Sequence, residues 1–180
     1  GRHEVNEVFL DEVRVPVELR VGDENDGWTV AKYLLSNERT GIARIGMTKR
    51  LIARVKTLAA DPETGLGEAA KAKALTKAAQ IEAELKALEI TQLRILAAMR
   101  PGAADPRSSL LKIKGVELRQ AASELLLRTA GCRALEFAYE GDGLAPLEAA
   151  SNYLTLRAAS IYGGASEVQK NIIASTLLGL

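Results

Sequence analysis

Apolar residues recur at spacings of three and four along most of this chain, and proline and glycine interrupt the pattern at intervals. This spacing places apolar side chains on one face of an α-helix, so each uninterrupted stretch predicts one helix with a buried face. Aromatic residues make up only 4% of the chain, a scarcity that is typical of long Ala- and Leu-rich helices. The sequence therefore predicts an all-α fold, an antiparallel up-and-down four-helix bundle with short connections.

Turn-forming residues set the limits of the first two predicted helices. The first is expected from about Trp28 to Ala60, because Asp26-Gly27 can cap its start and Asp61-Pro62 ends it. The second helix follows Gly67. It carries an apolar seam for packing on partner helices, formed by Ala78, Ile81, Leu85, Leu88, Gln92, Ile95 and Met99.

Similar signals predict the remaining helices. Ser108-Ser109 can cap a third helix and Gly131 can close it, while Pro146 suits the first turn of a fourth. Ser166 and Gln169 fit the Ser-x-x-Gln capping box of an extra C-terminal helix.

The beginning of the chain follows a different pattern. Residues 4 to 21 alternate imperfectly between apolar and charged, which is typical of a strand, and Pro16 restricts that strand to a sheet edge or an extended arm. We therefore expect residues 1–26 to form a short extended arm and residues 27–180 to form the helical-bundle domain.

Charge and residue counts exclude several classes of function. A net charge of +1 without a basic stripe argues against nucleic acid as a partner, and the apolar runs fall short of the roughly 18 residues that a membrane helix needs. The single histidine, His3, excludes a histidine-based triad or metal site. The single cysteine, Cys132, cannot form an internal disulfide, so a cytoplasmic location is expected.

The segment from Ile161 to Ala174 combines a glycine pair with a helix start. Gly163-Gly164 permits a tight turn, and the helix N-terminus offers free N–H groups that suit an anionic or carbonyl-bearing ligand. The residues alone favour a simple corner between helices over such a site.

This segment resembles the C-terminal signature of the acyl-CoA dehydrogenase family, in which the turn and helix lie against FAD. Residues 7–28 are similar to the stretch that leaves the middle β-domain of that family, and residues 34–43 resemble its first long helix. The resemblance implies that residues 1–26 are the tail of the β-domain. It also implies that the chain belongs to a longer enzyme that desaturates acyl-CoA thioesters, so that this chain alone would have little or no activity.

Glu38 is the candidate catalytic base. Leu34, Leu35 and Ile42 lie three or four residues away on the same helical face, and an apolar surround raises a carboxyl pKa above its usual value of about 4.3. From the residues alone, a structural ion pair with Arg39 or Arg44 remains the alternative.

The resemblance favours the catalytic role. Most family members carry the base in the C-terminal signature, at the position of Gly163 in this chain. The long-chain and isovaleryl-CoA types have a small residue there and carry the base in a Leu-x-x-Glu-Arg motif, as in Leu35 to Arg39. This base removes the α-proton while the β-hydrogen leaves as a hydride to the flavin.

The resemblance also assigns the residues of the C-terminal turn. Gly164, Ala165 and Glu167 match positions that contact FAD, and Tyr162 and Gly163 lie close to the acyl thioester. Ala165 replaces the more usual threonine, and Ser166 is expected to substitute in part for the missing hydroxyl.

One departure from the family keeps other functions open. The family commonly has an Arg-x-x-Phe-Gly segment that reaches the FAD pyrophosphate of the neighbouring subunit, and residues 57–67 lack it. A non-catalytic partner subunit or oligomerisation module of a heteromer is therefore an alternative, as is a flavin oxidase or monooxygenase. As an acyl-CoA dehydrogenase, the protein is expected to be a homo-oligomer or heteromer that passes electrons to electron-transfer flavoprotein or a similar acceptor.

Overall fold

A computed structural model describes residues 6–38, 41–99, 105–135 and 149–180, without the side chains of residues 35–38 and 135. Within these ranges the chain is helical and contains no strand. The α-helices are α1 (Gly27–Glu38), α2 (Ile45–Ala60), α3 (Glu68–Ala98), α4 (Ser108–Ala130), α5 (Ala149–Thr155) and α6 (Ser166–Ile173). A 3₁₀ segment, Leu156–Ser160, continues α5.

Helices α2, α3 and α4 pack around one apolar core. Two ion pairs show that α2 and α3 are antiparallel. Lys49 lies 2.5 Å from Glu89, and Lys56, further along α2, lies 2.6 Å from Glu82, which comes earlier in α3. The most deeply buried apolar side chains come from all three helices and include Ile52, Val55, Leu85, Ile95, Leu111 and Leu126.

Helix α5 and its 3₁₀ continuation pack against α4 as the fourth member of the bundle, and α6 packs against α4 as well. Ser123 of α4 contacts Arg157, and Arg119, one turn earlier in α4, contacts Tyr162 further along the chain, so this pair is also antiparallel. The predicted all-α, up-and-down architecture with an extra C-terminal helix is confirmed. Pro146 lies outside the described residues.

The predicted continuous helix from Trp28 to Ala60 is wrong. Helix α1 ends at Glu38, residues 41–43 form a turn, and α2 begins at Ile45 after Arg44, whose φ of 49° is left-handed. The physical reason is close packing, because Ala43 is fully buried and its backbone lies against Gly115 of α4. A straight helix would not place Ala43 in that contact.

Two other expectations about helices had different outcomes. The apolar seam of α3 is buried within this chain, so it is not free for another subunit; its buried members are Ala78, Ile81, Leu85, Leu88 and Ile95. Ser108 and Ser109 do not cap α4, since Arg107 precedes the helix and both serines are buried inside it. Gly131 does close α4, with a φ of 56°.

The N-terminal arm, residues 6–26, does not form the strand that its alternation predicts. A strand requires a neighbouring strand to accept its backbone hydrogen bonds, and the described part of the chain offers none. The apolar side chains of the arm are exposed; they are Val8, Phe9, Leu10, Val13, Val15, Val17, Leu19 and Val21. No helix of the described ranges is long and apolar enough to cross a membrane.

Leu126→Ala should destabilise the bundle strongly, because this side chain is fully buried between helices. Removing a buried leucine side chain costs about 2–5 kcal/mol in free energy of unfolding. The matched control is Leu110→Ala on the same helix, where the side chain is 44% exposed and the loss should be much smaller. Urea unfolding followed by circular dichroism measures both, and equal losses would contradict the packing of α4.

Candidate functional site

The C-terminal turn depends on its two glycines. Gly163 and Gly164 have φ values of 67° and 93°, in the region that disfavours residues with a Cβ. The side-chain amide of the buried Gln169 lies directly against Gly164, so a Cβ at that position would collide with it. Gly163 itself is exposed, and the turn therefore presents backbone without side chains on its outer side.

The start of α6 differs from the predicted capping box. Ala165 is the N-cap, and Ser166 and Glu167 are the first two residues of the helix. The hydroxyl of Ser166 donates to the carbonyl oxygen of Ser160 at 3.4 Å instead of capping the helix. The capping box fails because Ala165, which has no side-chain oxygen, occupies the N-cap position and Ser166 already lies inside the helix.

Two buried cations on α4 face this turn, and the sequence reasoning missed both. Nη2 of Arg119 donates to the phenol oxygen of Tyr162 at 3.4 Å, and Nε of Arg119 has no hydrogen-bond partner among the described residues. Lys112 is only 2% exposed, and its Nζ also lacks a partner there. The sequence signal was their spacing of seven residues, which places both cations on the same face of α4.

Burial lowers the pKa of the Lys112 amine, because the low-dielectric interior disfavours the charged form. The carboxylate of Glu167 opposes this change and favours the ammonium, while the positive charge of Arg119 adds to the lowering. Glu167 is thereby linked electrostatically to α4 although it forms no hydrogen bond with Lys112.

The segment before the turn is held by polar contacts to α4. Nη2 of Arg157 donates to the carbonyl oxygen of Gln120 at 3.3 Å and to Oγ of Ser123 at 3.2 Å. Nε2 of Gln120 donates in turn to the carbonyl oxygen of Leu156 at 2.9 Å. The Arg157 guanidinium also stacks on the ring of Tyr153, 4.4 Å from its centroid. These contacts fix the position of the C-terminal segment along the axis of α4.

The candidate base Glu38 and the C-terminal turn come from distant parts of the sequence, and the structure places Ile42, four residues after Glu38, next to the turn. Glu38 is the last residue of α1, and its side chain lies outside the described part. Ile42, four residues later, reaches the turn, because a Cβ on Gly163 would lie 3.3 Å from its Cδ1. The remaining candidates, Tyr162 to Glu167, are contiguous in the turn and α6.

A separate groove of about 770 Å³ lies between α3 and α4. Its lining includes the apolar residues Ala74 and Leu125. Lys73 and Lys77 place positive charge along it, while Arg128 forms an ion pair with Glu124, which also lines the groove. Among the described residues there is no group of three or more His, Cys, Asp or Glu side chains able to hold a metal ion.

Lys112→Met should stabilise the fold at neutral pH, because the substitution removes a buried amine without a hydrogen-bond partner. Because the pKa of Lys112 is lowered in the folded state, the unfolded state binds more protons. The destabilisation of the folded state by Lys112 therefore decreases as pH rises toward the unfolded pKa of about 10.4. The increase in thermal midpoint should therefore be largest near pH 7 and shrink toward pH 10.

Lys114→Met is the control, since Lys114 lies on the same helix but forms surface ion pairs with Glu84 and Glu117. Those ion pairs raise the pKa of Lys114, and their loss should leave the thermal midpoint unchanged or slightly lower. A fall in the midpoint of Lys112→Met at pH 7 would show that its ammonium is favourably paired.

The chain is similar to acyl-CoA dehydrogenases over nearly its whole length. Residues 25–178 match the family model described as acyl-CoA dehydrogenase, C-terminal domain. The chain is 33% identical over 177 residues to acyl-CoA dehydrogenase FadE34 of Mycobacterium tuberculosis, and this match covers 97% of the chain and 23% of that protein. It is 31% identical over 181 residues to acyl-CoA dehydrogenase IpdE1 of Mycolicibacterium smegmatis, and this match covers 100% of the chain and 43% of that protein.

The chain thus spans less than half the length of these relatives. The matched family region begins in the arm, just before α1, and ends at the last turn of the chain, so it includes both parts of the candidate site. The chain belongs to the acyl-CoA dehydrogenase family and corresponds to its C-terminal domain.

Proposed function

We propose that this chain is part of an FAD-dependent acyl-CoA dehydrogenase that desaturates acyl-CoA thioesters at the α,β position, with Glu38 as the base. The observation that carries the proposal is the close approach of Ile42 to Gly163, where a Cβ on Gly163 would lie 3.3 Å from Cδ1 of Ile42. Ile42 follows Glu38 by four residues, and by the family resemblance residue 163 is the position at which most relatives carry their base. A base at the end of α1 can therefore serve the same reaction centre as a base at residue 163.

The C-terminal turn fits a flat cofactor. Gly163, Gly164 and Ala165 carry little or no side chain, so a ring system can approach their backbone closely. The first residues of α6, Ser166 and Glu167, supply N–H groups that have no partner within the helix, at the positive end of the helix dipole. When bound, FAD supplies the acceptor for the hydride that leaves the β-carbon.

The chain's own residues handle the proton and the substrate. Glu38 accepts the α-proton of the thioester, and general base catalysis of this kind contributes roughly 10² to 10⁴ in rate. Tyr162 borders the acyl group, with its phenol oxygen fixed by Arg119. Leu34, on the same face of α1 as Glu38, is exposed in this chain and would be covered by other parts of the longer protein.

The alternative is a non-catalytic partner subunit of a heteromeric acyl-CoA dehydrogenase. The loop between α2 and α3 favours it, because this region carries Asp61 and Glu63 and no Arg-x-x-Phe-Gly segment. The groove between α3 and α4 favours the enzyme, because Leu66 lines it beside Lys73 and Lys77. Those lysines provide positive charge next to the loop that lacks the family's arginine.

The surroundings of the site are part of the same proposal. The exposed apolar arm, residues 6–26, would pack as the tail of a β-domain in the longer chain or against a second subunit. Electron-transfer flavoprotein or a similar acceptor would then reoxidise the enzyme in the cytoplasm. A flavin oxidase or monooxygenase would differ from this dehydrogenase because O₂ would rapidly reoxidise its reduced flavin.

Glu38→Gln in the longer enzyme should keep FAD and acyl-CoA binding and slow flavin reduction by at least about a hundredfold, because the amide cannot accept the α-proton. Stopped-flow absorbance at the flavin band measures this rate. Glu63→Gln, in the loop after α2, is the matched control and should retain the parent rate. Flavin reduction by Glu38→Gln at the parent rate would place the base elsewhere.

Charge reversal in the groove tests the choice between enzyme and partner subunit. Lys73→Glu with Lys77→Glu should lower the FAD content of the purified longer enzyme at least about tenfold if these cations attract the cofactor. The control reverses Lys71 and Lys86, which lie on the same helix outside the groove. Full FAD content in the groove variant would remove this argument for the enzyme.

A further inference from the structure

We propose that Gly115 of α4 is a positioning residue for the catalytic base, because it allows the bend after Glu38 to seat directly on α4. This inference rests on the proposed function of Glu38. It concerns the turn at residues 41–44, which we call the bend, and its two neighbours, Gly115 and Gly163.

The contact between Gly115 and the bend is a contact with backbone. A Cβ on Gly115 would lie 2.6 Å from Cα and 2.7 Å from the carbonyl oxygen of Ala43. Carbon atoms in ordinary contact are 3.5–4.0 Å apart, so any larger residue would displace the bend or the helix. The backbone of Ala43 cannot yield as the end of a flexible side chain can, and Ala43 is fully buried.

The bend is fixed on its other sides as well. Arg44 holds a left-handed φ of 49°, and its carbonyl oxygen accepts the amides of Met47 and Thr48 at 3.0 and 3.2 Å, starting α2. Ile42 lies against Gly163 of the C-terminal turn. The left-handed residue costs about 1–2 kcal/mol, so the surrounding contacts must define this conformation.

The bend follows the end of α1 closely in sequence. Glu38 lies five residues before Ala43, and the next described residue, Gly41, lies two before it. A shift of the bend away from α4 would move the end of α1 relative to the turn at Gly163. Misplacement of a catalytic group by about 1 Å can cost about a hundredfold in rate.

The test compares Gly115→Ala with Gly46→Ala in the longer, FAD-loaded enzyme. Gly46 lies in α2, close to the bend in sequence, and a Cβ there meets nothing within 4 Å. Single-turnover flavin reduction separates the two possible effects, since its amplitude counts folded, loaded sites and its rate constant reports the geometry of those sites.

The inference predicts that Gly115→Ala lowers the rate constant at least about tenfold while the acyl-CoA Kd stays within about twofold. Hydrogen exchange should also accelerate in peptides that cover residues 41–48 and remain unchanged in α3. Gly46→Ala should keep the parent rate constant. If the rate constant of Gly115→Ala equals that of the parent, or only the amplitude falls, the inference is overturned.

A second variant covers the case in which Gly115→Ala does not fold. Ile42→Ala removes the side-chain contact with Gly163 without adding volume, and it should lower the same rate constant at least about tenfold. An unchanged rate constant there overturns the inference. If Glu38→Gln keeps the parent rate, the proposed base is wrong; if only Glu38→Gln is slow, this inference alone fails.

Discussion

Helix α4 must satisfy two different environments at once. It contributes Leu111, Leu118 and Leu126 to the apolar core shared with α2 and α3. It also carries Arg119 and Ser123, which bind the C-terminal segment through hydrogen bonds. The same helix contacts the core and the C-terminal segment. Residues of α4 therefore fix the position of the C-terminal turn relative to the bend.

The buried cations of α4 are costly for stability. Lys112 and Arg119 are buried, each with a nitrogen that lacks a hydrogen-bond partner among the described residues. Unpaired buried charge usually destabilises a fold, and such groups cluster at functional sites more often than in cores. Their position beside Tyr162 and Glu167 is consistent with a turn whose placement matters for activity.

The helices could be predicted from the sequence because their signals are local. The seam of α3 and the closing Gly131 of α4 are local patterns of this kind, and both are confirmed. The bend was missed because its cause is a contact between Ala43 and Gly115, which are far apart in sequence. Local propensity favours a continuous helix across residues 41–44, and tertiary packing overrides it.

The candidate site was only partly accessible from the sequence. The turn at Gly163-Gly164 was found because left-handed backbone favours glycine, and both residues have positive φ. The roles of Lys112 and Arg119 were missed, since surface and buried cations look alike in a helix of mixed composition. The strand predicted for the arm does not form in the described chain, because alternation describes side chains and cannot supply a neighbouring strand.

The most direct measurement is a nuclear Overhauser effect between the δ1-methyl group of Ile42 and the α-protons of Gly163, in a sample with labelled isoleucine methyl groups. The close approach of the two residues predicts a clear cross-peak. The methyl groups of Ile52 and Ile95, both in the core, serve as internal references. Core cross-peaks without one between Ile42 and Gly163 would contradict the claim that α4 brings the bend and the turn together.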